Sequence, residues 1–128
     1  MKNEEFVTFE TAIKLKKKGY NWESRDYYWI SNKGLYVSRI PRDWNEDVEK
    51  CSAARLSEVE KWLRDEKGIY ICLVPYEPYD SQDKIFWRSY VKIGANDSPC
   101  SCVYYGDNLK SFEEVLLFTI NYVIDSIL

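Results

Sequence analysis

Cys100 and Cys102 have the spacing in this chain that comes nearest to a metal or redox signature. In an extended strand both side chains would point to the same side, with Cα atoms about 6.6 Å apart, near the upper limit for a disulfide. Zinc would need more ligands, and because the chain contains 0 histidines only Cys51, Cys72 or carboxylates could supply them. We therefore expect no metal and no cofactor, with reduced thiols, and we interpret Cys72 as a small core residue.

Paired carboxylates, the groups that act as acid and base in many hydrolases, occur at Asp80 and Asp83 and at Glu113 and Glu114. Such catalysis needs one carboxyl in an apolar pocket, whereas a turn-rich loop and the first turn of a helix favour the ionised form. The chain has no glycine-rich phosphate loop, serine elbow or zinc-protease motif, and without histidine it has no imidazole-based triad. We expect no catalytic residues and a protein that is not an enzyme; an enzyme that uses carboxylates or a thiol is the alternative.

Aromatic residues are abundant: the chain has 5 Trp, 11 Tyr and 5 Phe. The rings could fill a thin core and cover the open face of a sheet, where aromatic pairs across strands are stabilising. They could instead form an exposed recognition surface for a protein or for single-stranded nucleic acid. Under the second interpretation, the candidate surface residues are Tyr27, Trp29, Tyr36, Trp44, Tyr76, Tyr79, Tyr90 and Phe118.

The charge balance favours a protein partner over a nucleic acid. With 18 basic and 21 acidic residues the net charge is -3, which gives no general attraction for a polyanion. A local basic stripe would have to come from Arg25, Arg39, Arg42, Arg88 and Lys92. We predict a small binding or accessory protein that acts through an aromatic-rich protein-interaction surface, with a weak single-stranded nucleic-acid binder as a further alternative.

Hydrophobic periodicity and turn residues predict one α+β domain over residues 1–128, in the order α-β-β-α-β-β-β-α. We expect a twisted antiparallel sheet with the helices mostly packed on one face. Pro41 and Pro75 are expected to end the strands before them, and residues 42–54 to form a loop. The predicted elements are a helix over residues 8–18 with Thr8 as its N-cap, strands over 27–30 and 35–40, a helix over 55–67, strands over 69–74, 85–93 and 100–105, and a helix that begins with a capping box of Ser111 and Glu114. Ser57 and Glu60 could form a capping box for the middle helix, with Ser52 or Ala54 as alternative starts.

The last predicted helix is apolar around most of its circumference. Its uncharged run, residues 115–124, is about half of the roughly 20 residues that span a bilayer, so we expect a buried helix and no membrane association. The same wide apolar face predicts a homodimer formed through this helix. The polar start of the chain has no apolar core of signal-peptide length, which predicts a cytoplasmic location.

Three segments of the chain resemble a known group of proteins: Thr8-Phe9-Glu10-Thr11-Ala12, the helix from Leu56 that leads through Lys67-Gly68-Ile69, and Ser111-Phe112-Glu113-Glu114. They are similar to small uncharacterised proteins of gut Bacteroides genomes, their phages and mobile elements. Ala53-Ala54-Arg55 departs from the Pro-containing start of the middle helix in that group. The resemblance implies a cytoplasmic accessory protein of mobile-element origin and assigns no activity or site residue.

Overall fold

The computed structural model describes residues 6–76, 86–94, 101–105 and 111–128, with the backbone alone for residues 76, 86 and 101–105. The α+β class and the predicted order of helices and strands are confirmed, with one additional short strand and a 3-10 helix (Trp44–Glu46) between the second strand and the second helix. The elements are α1 (Phe9–Lys17), β1 (Ser24–Trp29), β2 (Leu35–Arg42), β3 (Lys50–Ser52), α2 (Leu56–Lys67), β4 (Ile69–Tyr76), β5 (Phe86–Ile93), β6 (Ser101–Tyr105) and α3 (Phe112–Ser126).

The strands form two antiparallel three-stranded sheets, in the orders β2-β1-β3 and β4-β5-β6, where the sequence predicted a single sheet. The short strand β3 accounts for part of the difference. It pairs with the edge of β1 that β2 leaves open, with Cys51 opposite Tyr28, so both edges of β1 are occupied.

The chain packs as two compact units, Met1–Val59 with Ile124–Leu128, and Glu60–Val123. In the first unit, α1 begins as predicted, because the Thr8 side chain accepts a hydrogen bond from the Thr11 backbone N–H at 3.3 Å. Tyr28 on β1 points into the core of this unit and donates its hydroxyl proton to the Val7 carbonyl at 2.7 Å. Tyr27 and Trp29, its neighbours along β1, therefore lie on the opposite face.

Prolines do not end the strands as predicted. β2 continues through Pro41 to Arg42, and β4 continues through Pro75 to Tyr76. Both strands are at the edge of a sheet, where one side of the strand needs no hydrogen-bond donor, so proline is compatible with the strand.

The sequence also misplaced two local features. Residues 42–54, predicted as a loop, contain the 3-10 helix and β3. The capping box predicted from Ser57 and Glu60 is wrong, because α2 begins at Leu56 and Ser57 lies inside it: the Arg55 backbone N–H donates to Glu58 Oε1 at 3.1 Å, which is the glutamate half of a capping box.

In the second unit, Ile69, Ile71, Ser89 and Val91 are buried on one face of the β4–β5 pair. Cys72 points to the other face and is exposed, so its interpretation as a core residue is wrong. Successive side chains of a strand point to opposite faces, and the nearly continuous apolar sequence of β4 gave no sign of which face is buried. The Ser111 cap of α3 is confirmed, since Ser111 Oγ accepts from the Glu114 backbone N–H at 3.0 Å. Within the described parts of the chain, no helix combines the length and the apolarity that crossing a membrane requires.

Candidate functional site

Four of the eight candidate residues come together on the outer face of the first sheet, and we call them the ring cluster: Tyr27, Trp29, Tyr36 and Trp44. Tyr27 is at the centre of the cluster. Its ring centroid is 4.5 Å from that of Trp44, 5.9 Å from that of Tyr36 and 6.1 Å from that of Trp29. The Tyr36 ring is stacked on Tyr27 and the Trp29 ring meets it edge to face, two geometries that aromatic pairs favour.

Strand pairing and a short helix place these rings. Tyr27 and Trp29 share a face because they are two residues apart on β1, and Tyr36 is directly opposite Tyr27 on β2. Trp44 arrives from the 3-10 helix, and two hydrogen bonds fix it: its indole Nε1–H donates to the Ser24 carbonyl at 2.6 Å, and its backbone N–H donates to Ser52 Oγ at 3.1 Å. With only 6% of its surface exposed, Trp44 forms the floor of the cluster.

A lysine ammonium lies over three of the rings. Lys50 Nζ is 4.6 Å from the ring centroid of Trp29 and 5.1 Å from those of Tyr27 and Trp44. Each distance is within the range of a cation–π interaction, which contributes about 0.5 to 2 kcal/mol depending on desolvation. Asp47 Oδ2 is 3.7 Å from the same nitrogen, and 19% of the Lys50 side chain is exposed.

The segment that carries Lys50 is anchored independently of its side chain. Lys16 of α1 donates from Nζ to the carbonyls of both Asp47 and Lys50, the latter at 2.7 Å. The Asn45 side chain makes two further hydrogen bonds: Nδ2 donates to the Tyr20 carbonyl at 2.8 Å, and Oδ1 accepts from the Ser52 backbone N–H at 2.9 Å. The backbone beneath the ammonium is therefore held from several directions.

β2, beside the ring cluster, exposes apolar side chains along its length. The exposed fractions are 44% for Leu35, 75% for Val37 and 66% for Ile40. Among the strands that the structure describes, β2 is at the edge of its sheet and pairs only with β1. An edge strand of eight residues with exposed apolar groups is a ready template for pairing with another chain.

The remaining four candidates are in other places. Tyr90 is on β5, opposite Cys72 on the exposed face of the β4–β5 pair, and Phe118 is on α3 with 45% of its surface exposed. Tyr76 is the last residue of β4, and its side chain is not described. Tyr79 lies outside the described residues.

The candidate chemical groups have the following environments. Burial raises the pKa of the Cys51 thiol to about 11, although nearby Lys16 acts in the opposite direction, so this thiol is a poor nucleophile near neutral pH. Burial likewise raises the pKa of Glu60, and the nearby Arg64 guanidinium acts in the opposite direction.

Among the residues that the structure describes, histidine, cysteine and carboxylate side chains form no group of three or more that could hold a metal ion. Asp80, Asp83 and Cys100 lie outside the described residues, and for Cys102 only the backbone is described.

Sequence reasoning missed Lys50, Asp47 and the apolar residues of β2 as parts of this surface. The alternation of Tyr27 and Trp29 was visible, but the 3-10 helix that supplies Trp44 and the three residues of β3 that supply Lys50 are too short to show a period. One sequence signal could have indicated that β2 exposes apolar groups. Leu35, Val37 and Ile40 fall on both faces of one strand, and a sheet with one buried face can cover only one of them.

No family model, curated protein or solved structure matches this chain.

Proposed function

We propose that this protein is a small, non-enzymatic, cytoplasmic binding protein that engages another protein through β2 and the adjoining ring cluster. The observation that carries the proposal is the exposure of Leu35, Val37 and Ile40 along an edge strand. Proteins usually protect such edges with charges, proline or bulges, and β2 has charges and a proline only in its second half, at Arg39, Pro41 and Arg42. An extended segment of a partner would add a strand beside β2, with backbone hydrogen bonds and contacts to the apolar side chains.

The charge of β2 indicates the chemistry of that segment. Arg39 and Arg42 are its only charged residues, and Lys33 precedes it in the turn, whereas the whole chain has a net charge of -3. Pairing β2 with β2 of a second copy would add further cations to this edge and no acidic side chain to balance them. An extended segment with apolar and acidic residues would complement both the apolar side chains and the arginines.

Capture from the native host tests the surface. The bait variant is Val37→Asp, and the matched control is Val48→Asp, because Val48 is 87% exposed and lies outside the strands. We expect a protein that the wild type and Val48→Asp retain and that Val37→Asp loses, with all three baits unfolding at similar temperatures. If the three baits retain the same proteins, the proposal is wrong.

Synthetic peptides test the partner chemistry directly. We expect a peptide of alternating valine and glutamate to bind the wild-type protein, and the corresponding peptide of valine and lysine not to bind. Arg39→Glu should reverse this preference, and salt should weaken binding of the acidic peptide, since exposed charges are screened within about 10 Å at 0.1 M. Equal binding of both peptides would contradict the role given to the arginines.

A second candidate function is binding of single-stranded nucleic acid on the exposed face of the β4–β5 pair. This face carries Tyr70 opposite Lys92 and Val74 opposite Arg88, with Tyr90 between the two cations along β5. Rings on which bases stack, combined with cations for phosphates, are the usual components of such a surface. Fluorescence anisotropy with a labelled oligothymidine tests it: binding that Lys92→Glu abolishes and Lys61→Glu retains would support this function, and absence of binding at low salt would exclude it.

A further inference from the structure

We propose that the rings of Tyr27, Trp29 and Trp44 form a receptor for a quaternary or methylated ammonium group, and that Lys50 occupies this receptor while the ligand is absent. We call these three rings, with Asp47 beside them, the ammonium cage. The cage uses three rings of the ring cluster, but this inference concerns a ligand group rather than the pairing of a strand with β2, so its test is separate from the test of the function proposed above.

The resident lysine demonstrates which chemistry the cage accepts. Its nitrogen is 4.6 to 5.1 Å from all three ring centroids, so a single positive charge faces three π-systems at once. The carboxylate of Asp47, 3.7 Å away, adds a negative charge beside the ammonium. Several aromatic faces around one cation are the arrangement that recognises choline and methylated lysine.

An alkylated ammonium suits these rings better than the primary ammonium of Lys50. A primary ammonium is a compact and strongly hydrated charge, so it loses favourable water contacts when it lies against rings. A quaternary ammonium spreads its charge over methyl groups, is more weakly hydrated, and can contact all three faces by dispersion as well as electrostatically. Lys50 keeps its place because its tether gives it a high local concentration, in the millimolar range for short flexible links.

The cage is accessible and does not depend on the Lys50 side chain for its shape. A depression of about 390 Å³, lined by Arg42, Asp43, Trp44, Glu46 and Asp47, adjoins it and shares Trp44 and Asp47 with it. The backbone of Lys50 pairs with Trp29 and accepts a hydrogen bond from Lys16, and Trp44 is fixed by Ser24 and Ser52. The lysine side chain can therefore leave while the rings stay in position.

Choline titration of the wild type and of Lys50→Ala tests the proposal. The readout is the shift of the indole N–H signals of Trp29 and Trp44 in ¹H–¹⁵N NMR spectra. We expect saturable shifts of these two signals in Lys50→Ala, and binding at least about tenfold weaker in the wild type, where the tethered lysine competes. The matched ligand control is 3,3-dimethylbutanol, which has the shape of choline without its charge and should bind more weakly by about the same factor. Val37→Asp on β2 should leave choline binding unchanged, which separates this site from the proposed strand pairing.

A second titration distinguishes the sources of the ammonium. Tighter binding of a peptide with trimethyllysine than of both free choline and the unmethylated peptide would assign the cage to a modified protein; a preference for free choline would assign it to a small metabolite. Should Lys50→Ala fail to fold, the wild-type spectrum decides instead, because choline should displace the upfield-shifted Lys50 ε-methylene signals. Absence of saturable shifts up to about 100 mM ligand, or equal binding of the neutral alcohol, would overturn the proposal, since either result means that the rings do not select a cation.

Discussion

Two adjacent tyrosines show how completely strand position decides what a residue does in this protein. Tyr28 is buried and donates its hydroxyl proton to the Val7 carbonyl, while Tyr27 stacks with other rings on the opposite face and contributes to the ammonium cage. Composition treats them as equal members of an aromatic excess. The sequence left two explanations open, rings in the core and rings on a surface. On β1 both are correct: the face with Tyr28 is in the core, and the face with Tyr27 is at the surface.

Cys51 should make stability sensitive to alkaline pH. Burial raises the pKa of its thiol from 9.0 to about 11, so between these values the unfolded chain has released a proton that the folded chain still holds. The contribution of this thiol is complete below pH 9 and is lost as pH rises towards 11, with a slope of at most about 1.4 kcal/mol per pH unit.

We expect the free energy of unfolding, measured in urea, to fall more steeply over this interval in the wild type than in Cys51→Ala. Burial also raises the pKa values of Tyr20 and Tyr28, but both proteins contain these tyrosines, so they act as an internal control. Parallel curves for the two proteins would show that the thiol titrates alike in the folded and unfolded chains.

At the scale of elements, Lys16 joins α1 to the segment before β3. Its ammonium donates to two backbone carbonyls, those of Asp47 and Lys50. A methionine side chain can replace the apolar stem of this lysine but not its ammonium. Lys16→Met should therefore lower the free energy of unfolding by about 1 to 3 kcal/mol, because the hydrogen bonds to a charged donor are lost.

The matched control is Lys17→Met, since Lys17 is exposed on the same helix and its replacement should change stability by less than about 0.5 kcal/mol. Hydrogen exchange gives a second readout: Lys16→Met should accelerate exchange at the Lys50 and Ser52 amides more than at amides within α2. If the two methionine variants are equally stable, Lys16 does not anchor this segment.

The same elements show what sequence patterns can and cannot predict. α1 and α3 were predictable because their caps, Thr8 and Ser111, are local signals that the structure uses directly. The ends of β2 and β4 were not, because proline is excluded from a central strand but tolerated at an edge, and which strands are at the edge is a property of the whole sheet. For the same reason the ring cluster was half predictable: β1 fixes the face of Tyr27 and Trp29, whereas Trp44 and Lys50 reach that face through contacts between elements.

At the scale of the whole molecule, the prediction of a homodimer through α3 depends on what the helix leaves exposed. The wide apolar face that motivated it is largely used within the chain, since Val115, Leu116, Ile120, Val123 and Ile124 are buried. Phe112, Phe118 and Tyr122 remain, with 39%, 45% and 40% of their surfaces exposed, and the last two are one turn apart on the helix.

If α3 mediates a dimer, its exposed rings must supply the apolar contacts, and Phe118 is the most exposed of them. Sedimentation equilibrium should then show a dimer at high micromolar concentration, and Phe118→Glu should shift it to monomer without lowering the unfolding temperature, because the position is already partly solvated. Ser126→Glu, a change of the same charge at an exposed position of the same helix, should leave the dimer intact. A wild-type chain that sediments as a monomer would exclude a homodimer, and it would leave β2, the ammonium cage and the exposed face of the β4–β5 pair as the proposed binding surfaces.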